Sequence, residues 1–87
     1  MIMVQHNCRV CGLYIEDAPW GIDGQCPTYE YCPCCDVEFG YQDYTLESTK
    51  KFRQEWLDNG AKWAMPKIKP ENWDLIEQMK NIPEEFR

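Results

Sequence analysis

Along residues 1–44 the apolar side chains keep a period of two. Leu13 and Ile15 alternate with Tyr14 and Glu16, Tyr29 and Tyr31 with Thr28 and Glu30, and Val37, Phe39 and Tyr41 with Glu38 and Gly40. Alternation of this kind predicts short strands with one wet face. Between them, Ala18-Pro19-Trp20-Gly21-Ile22-Asp23-Gly24 reads as a turn-rich loop, because a proline and two glycines disfavour continuous pairing.

From residue 45 the spacing becomes helical. Phe52 and Trp56 stand four apart with Leu57 on the same side, Thr45 or Ser48 can cap the start, and Asn59-Gly60 is a stop signal. Pro70 predicts the opening of a second helix, at a position where its missing N–H costs nothing. Trp73, Ile76 and Met79 continue as a stripe flanked by Leu75 and Ile82, and Pro83 closes it. Helices of about twelve residues do not persist alone in water, so their stripes must pack on the first half. The predicted fold is α+β: a small zinc-ribbon-like antiparallel β region with two cysteine knuckles, then two short helices packed on it. Residues 1–87 form one domain in this reading, with 1–44 the ribbon-like part and 45–87 the helical part. No linker, low-complexity tract or internal repeat of useful length interrupts it.

Composition adds a constraint. A chain of 87 residues builds only a marginal core and needs a staple, which its six cysteines can supply. Met1-Ile2-Met3-Val4 is a short apolar run followed by polar residues, without the charged start and longer apolar region of a secretory leader. No stretch is long and apolar enough for a membrane span. A cytoplasmic location is therefore expected, and in a reducing compartment disulfide frameworks are rare.

Cys8-Arg9-Val10-Cys11 and Cys32-Pro33-Cys34-Cys35 are two C-x-x-C pairs, the spacing of a four-cysteine zinc site. Two cysteines three apart in a tight turn aim both sulfurs at one ion, and amides inside the turn hydrogen-bond those sulfurs. The expected ligands are Cys8, Cys11, Cys32 and Cys35, with Zn2+ in a structural role, because four thiolates leave no open position for water or substrate. Gly12 suits a left-handed position after the first pair, and Asp36 holds the same place after the second at greater cost. Cys34 should face away from the metal, and Cys26 belongs to no pair. His6, the one histidine, lies outside the knuckle spacing and is read as a surface residue. A thioredoxin-like role for the second pair would require a βαβ setting, whereas Asp36-Val37-Glu38-Phe39-Gly40 reads as a strand.

The charge is uneven. Residues 1–44 carry one base against seven acids, and residues 45–87 carry eight of each. Four thiolates on a zinc ion add further negative charge to the first half. Such a surface repels phosphates, which argues against nucleic acid, and attracts a basic protein surface. No phosphate loop, dinucleotide fingerprint or serine elbow is present.

Pro19-Trp20-Gly21-Ile22-Asp23-Gly24, Tyr29-Glu30-Tyr31-Cys32-Pro33-Cys34-Cys35 and Glu38-Phe39-Gly40-Tyr41-Gln42-Asp43 resemble the bacterial cysteine-rich CPCC family. The tail, with Trp56-Leu57-Asp58-Asn59-Gly60, Trp63 and Pro70-Glu71-Asn72-Trp73, is similar to the C-terminal part of full-length members. Asp36 departs from the glycine more usual there. The resemblance implies a small zinc-ribbon-like protein without an agreed activity, and a prior association of some members with toxin genes. The expected function is accordingly a non-catalytic zinc-binding protein–protein interaction module with a basic partner, such as a bacterial toxin neutralised by an immunity-type inhibitor. The alternatives are a redox or metal sensor using Cys26 or Cys34 and a zinc ribbon contacting nucleic acid.

Overall fold

The computed structural model describes residues 4–87; the Met1–Met3 part of the run considered for a leader lies outside them. Helix α1 spans Leu46–Asp58 and helix α2 spans Leu75–Met79, with single 3-10 turns at Pro66–Ile68 and Glu84–Phe86. Among the described residues no helix is long and apolar enough to cross a membrane.

The expected antiparallel β region is not formed. Among the described residues there is no strand, only two isolated antiparallel bridges, Asn7 with Tyr14 and Tyr31 with Glu38. Left-handed residues cut the alternating runs before pairing can propagate. Gly12 (φ 85°) precedes Leu13-Tyr14-Ile15, and Tyr29 (φ 62°) precedes Glu30-Tyr31. Asp36 (φ 67°) and Gly40 (φ 99°) bracket Val37-Glu38-Phe39. Each run is thus two or three residues long and makes one bridge. Alternation marked inward side chains at Val37 and Phe39, which are buried, but not at Tyr29, Tyr31 and Tyr41, which are exposed.

What replaces the sheet is a repeated loop. In the first, the amide of Cys8 donates to Leu13 O, Gly12 to Cys8 O and Ile15 to His6 O. Twenty-four residues on, Cys32 donates to Val37 O, Asp36 to Cys32 O and Phe39 to Glu30 O. The two knuckles are one backbone design used twice. Only the cysteines and the alternation repeat in sequence, too little to register as an internal repeat.

Helix α1 starts where a capping box predicts. Thr45 Oγ1 accepts from the Ser48 amide at 3.1 Å, and Ser48 Oγ accepts from the Thr45 amide at 3.2 Å. It stops at Asn59, followed by Gly60 at φ 93°. Its inward face is Thr49, Arg53 and Trp56, flanked by half-buried Phe52 and Leu57. The second helix differs from expectation. It has five residues and begins after Asp74, whose carboxylate accepts from the Glu77 amide at 3.2 Å. Pro70 instead closes a turn, its carbonyl accepting from the Trp73 amide. Ile76 is exposed, so the packed side of α2 is Leu75, Gln78 and Met79 rather than a stripe through Ile76.

The core joins both halves. Trp56, Ala61 and Trp63 pack with Val10, Val37, Phe39 and five of the six cysteines, and Trp73 meets Trp63 edge-on at 5.6 Å between centroids. The radius of gyration, 12.1 Å, equals the value of about 12 Å expected of one compact domain this size.

Candidate metal centre

Each knuckle turns its two cysteines toward the other knuckle. The sulfurs of Cys8, Cys11, Cys32 and Cys35 all lie within 4.8 Å of one another, and all four residues are buried. Cys8 Sγ is 3.7 Å from Cys35 Sγ, and Cys11 Sγ is 3.7 Å from Cys32 Sγ. A disulfide needs about 2.05 Å between sulfurs, so these contacts are not bonds. A tetrahedron with metal–sulfur bonds of about 2.3 Å has edges of about 3.8 Å. The spacing therefore fits one tetrahedral ion such as zinc, with a sulfur at every corner.

The electrostatics say the same. Hydrogen bonding within the sulfur cluster, from Cys11 above all, holds the pKa of Cys32 far below the thiol range. Burial, then hydrogen bonds to the other cysteines, pushes Cys11 well above that range, and burial does the same to Cys35. Cys32 ionises readily while Cys11 and Cys35 resist, because further negative charge in a dry site needs compensation. A divalent cation would supply it. The amide of Val10 already points at Cys8 Sγ, 3.4 Å away, as expected of a knuckle that stabilises a thiolate.

All four predicted ligands come together. Cys34 stands apart from them in the way the repeat dictates: it occupies the place of Val10 in the other knuckle, and both are fully buried. Its sulfur accepts from Gln78 Nε2 at 3.4 Å, so it fills the contact with α2. Cys26 is exposed, 3.8 Å from an Asp23 carboxylate oxygen. His6 is half-buried rather than on the surface. Its Nδ1–H donates to Ile15 O at 2.9 Å, and its ring stacks on Tyr14, which fixes it beside the first bridge and away from the sulfurs.

Three side chains that pattern reading passed over support the loops. Arg53 is 9 % exposed and donates to the carbonyls of Val10 (2.6 Å), Arg9 (2.8 Å) and Phe86 (2.5 Å). In the second knuckle the equivalent carbonyls of Cys34 and Pro33 accept from the backbone amides of Ala64 (3.0 Å) and Met65 (2.9 Å). Asp43 is fully buried, accepting from Trp20 Nε1 at 2.9 Å and from the Gly40 amide at 2.7 Å. Burial raises its pKa in spite of those bonds. Arg9 lies between the rings of Trp20 and Phe86, 3.8 and 4.1 Å from their centroids, with Nη1 on Asp43 O. The available signal was Arg53 itself: a charge in register with Thr49 and Trp56 on an inward helix face.

No family model matches the chain, and no solved structure does. It is 32 % identical over 82 residues to the Bacillus subtilis "Uncharacterized protein YozI", an alignment covering 76 % of this chain and 68 % of that protein. It is 28 % identical over 97 residues to "Uncharacterized protein YoaQ" of the same organism, covering 93 % of this chain and 76 % of that one. With the first likeness spanning that much of both chains, the protein belongs to the family of YozI.

Proposed function

We propose that this is a zinc-stapled, non-catalytic module that acts by docking its N-terminal half on a basic protein surface. The observation that carries the reading is a sorting of aromatics and charges. Trp20, Trp56 and Trp63 are buried, whereas Tyr14, Tyr29, Tyr31, Tyr41 and Tyr44 are each at least 60 % exposed. Tyrosine is enriched where proteins meet, because it offers a large apolar face and a polar tip at low entropic cost. In the same half Glu16, Asp17, Asp23, Glu30 and Asp36 are exposed, while Arg9, the single base of that half, is held half-buried between two rings. The surface is therefore acidic and aromatic, complementary to lysine and arginine. The metal serves as the staple, since four sulfur ligands close its coordination.

A toxin blocked by an immunity-type inhibitor is one such partner. Co-expression with the products of flanking genes, followed by size-exclusion chromatography, tests the reading. A basic product should co-elute, and the complex should weaken as salt rises and on Tyr31→Ala with Glu30→Lys. Co-elution unaffected by both, or with acidic products alone, would sink the proposal.

A further inference from the structure

Arg53 poses a physical problem. Its guanidinium is buried, and the three groups it touches are neutral carbonyls. A buried cation demands an opposite charge. Among the described residues no carboxylate lies within ion-pair distance of it; the one ion pair there is Lys80–Glu77, on the surface. Burial lowers the pKa of Arg53, and the sulfurs of Cys8, Cys11 and Cys35 act in the opposite direction. Two of its bonds go to the carbonyls of Arg9 and Val10, the residues between Cys8 and Cys11, so the charge rests against the outside of the first knuckle. Four thiolates around a dication leave a net charge of about −2, and a cation one residue away from two of them offsets part of it.

The second knuckle marks the contrast. Its corresponding carbonyls are satisfied by backbone amides, which carry no net charge. The same hydrogen-bonding need is thus met by a neutral segment on one side and by a buried arginine on the other. Hydrogen bonding alone does not require the charge. The third bond, to Phe86 O, ties the last turn to the same group, and that turn packs on α1.

We propose that Arg53 is the charge partner of the metal–thiolate centre, through which metal loading fixes helix α1 and the last turn to the first knuckle. The inference rests on the reading of the four cysteines as metal ligands. It goes beyond the staple, because it makes a helix residue with no bond to the metal a determinant of affinity and of the ligands' electronic state.

The test compares wild type, Arg53→Lys and Arg53→Gln, each loaded with Zn2+ or Co2+. Zinc affinity is measured by competition with a chromophoric chelator. Arg53→Gln should lose ten- to hundred-fold, the range for groups that support metal ligands from behind. Arg53→Lys, which keeps the charge and loses the fork, should stay within about ten-fold of wild type. The cobalt complexes supply a readout that a purely structural role would leave alone. Removing a nearby positive charge raises the thiolate electrons in energy, so the sulfur-to-cobalt charge-transfer band of Arg53→Gln should move to longer wavelength. That of Arg53→Lys should stay put. An Arg53→Gln protein with wild-type affinity and band position would overturn the proposal. If that variant fails to fold with metal, the lysine variant decides: retention of affinity and band supports the charge role, and failure alongside glutamine refutes it. A wild-type chain that takes up no cobalt removes the centre itself, a separate result.

Discussion

Gly12 and Asp36 hold corresponding places in the two knuckles and both are left-handed, at φ 85° and 67°. Gly12 has a second constraint: a Cβ there would collide with the carbonyl oxygen of Gln78 in α2. Asp36 is exposed and bears only the conformational cost, which is roughly 1 kcal/mol for a non-glycine residue. The same pair of substitutions should therefore have opposite signs. Gly12→Ala should destabilise the folded protein by about 2–4 kcal/mol, from the left-handed backbone and the clash together. Asp36→Gly should stabilise it by up to about 1 kcal/mol. Denaturant unfolding followed by tryptophan fluorescence reads both. The left-handed turn after each cysteine pair was legible in sequence, since the turn needs it at either end. Arg53 and Asp43 were not, because burial of a charge depends on partners brought in from residues far along the chain.

At the scale of elements, the start of α1 has one local determinant. The reciprocal Thr45–Ser48 bonds satisfy backbone donors that the first turn cannot, and replacement of such a cap by alanine costs about 1 kcal/mol. Thr45→Ala should lower stability by that amount, and hydrogen exchange should quicken first in the amides of the first turn. An unchanged unfolding midpoint would show that packing of Arg53 and Trp56 fixes the helix alone. The contrast with α2 explains which elements could be read in advance. A cap, an inward face and a stop signal mark the bounds of α1 within the sequence itself, although its thirteen residues still need packing to persist. In α2 two rival starts, Pro70 and Asp74, compete, and the tertiary contacts of Leu75 and Gln78 favour the later one. The strands failed for a related reason. A period of two specifies alternate facing, which a knuckle flank and a sheet share, and the left-handed breaks at Tyr29 and Asp36 belong to residues that rarely adopt them.

The whole molecule depends on how its interior is composed. Among the described residues thirteen apolar side chains are buried, and four of them are the clustered cysteines, so a large share of the core is the candidate centre itself. Surface charge contributes little beside it, the single described ion pair being exposed. Without a metal the four close sulfurs have no common partner, and Cys11 and Cys35 resist ionisation through burial. Chelation by excess EDTA should therefore unfold the chain in one cooperative step, since the centre is shared by both knuckles and supplies the contacts on which α1 rests. Acid should do the same with a definite sign. Bound thiolates must take up protons before the metal leaves, so the loaded protein holds fewer protons than the unfolded, metal-free chain and loses stability as pH falls. With several sulfurs involved, the apparent affinity should drop by more than ten-fold for each pH unit. Chelator competition at a series of pH values, with circular dichroism on the same samples, checks this. Metal loss and loss of helix should coincide, and a helix signal that survives after the metal has gone would show that the halves fold separately.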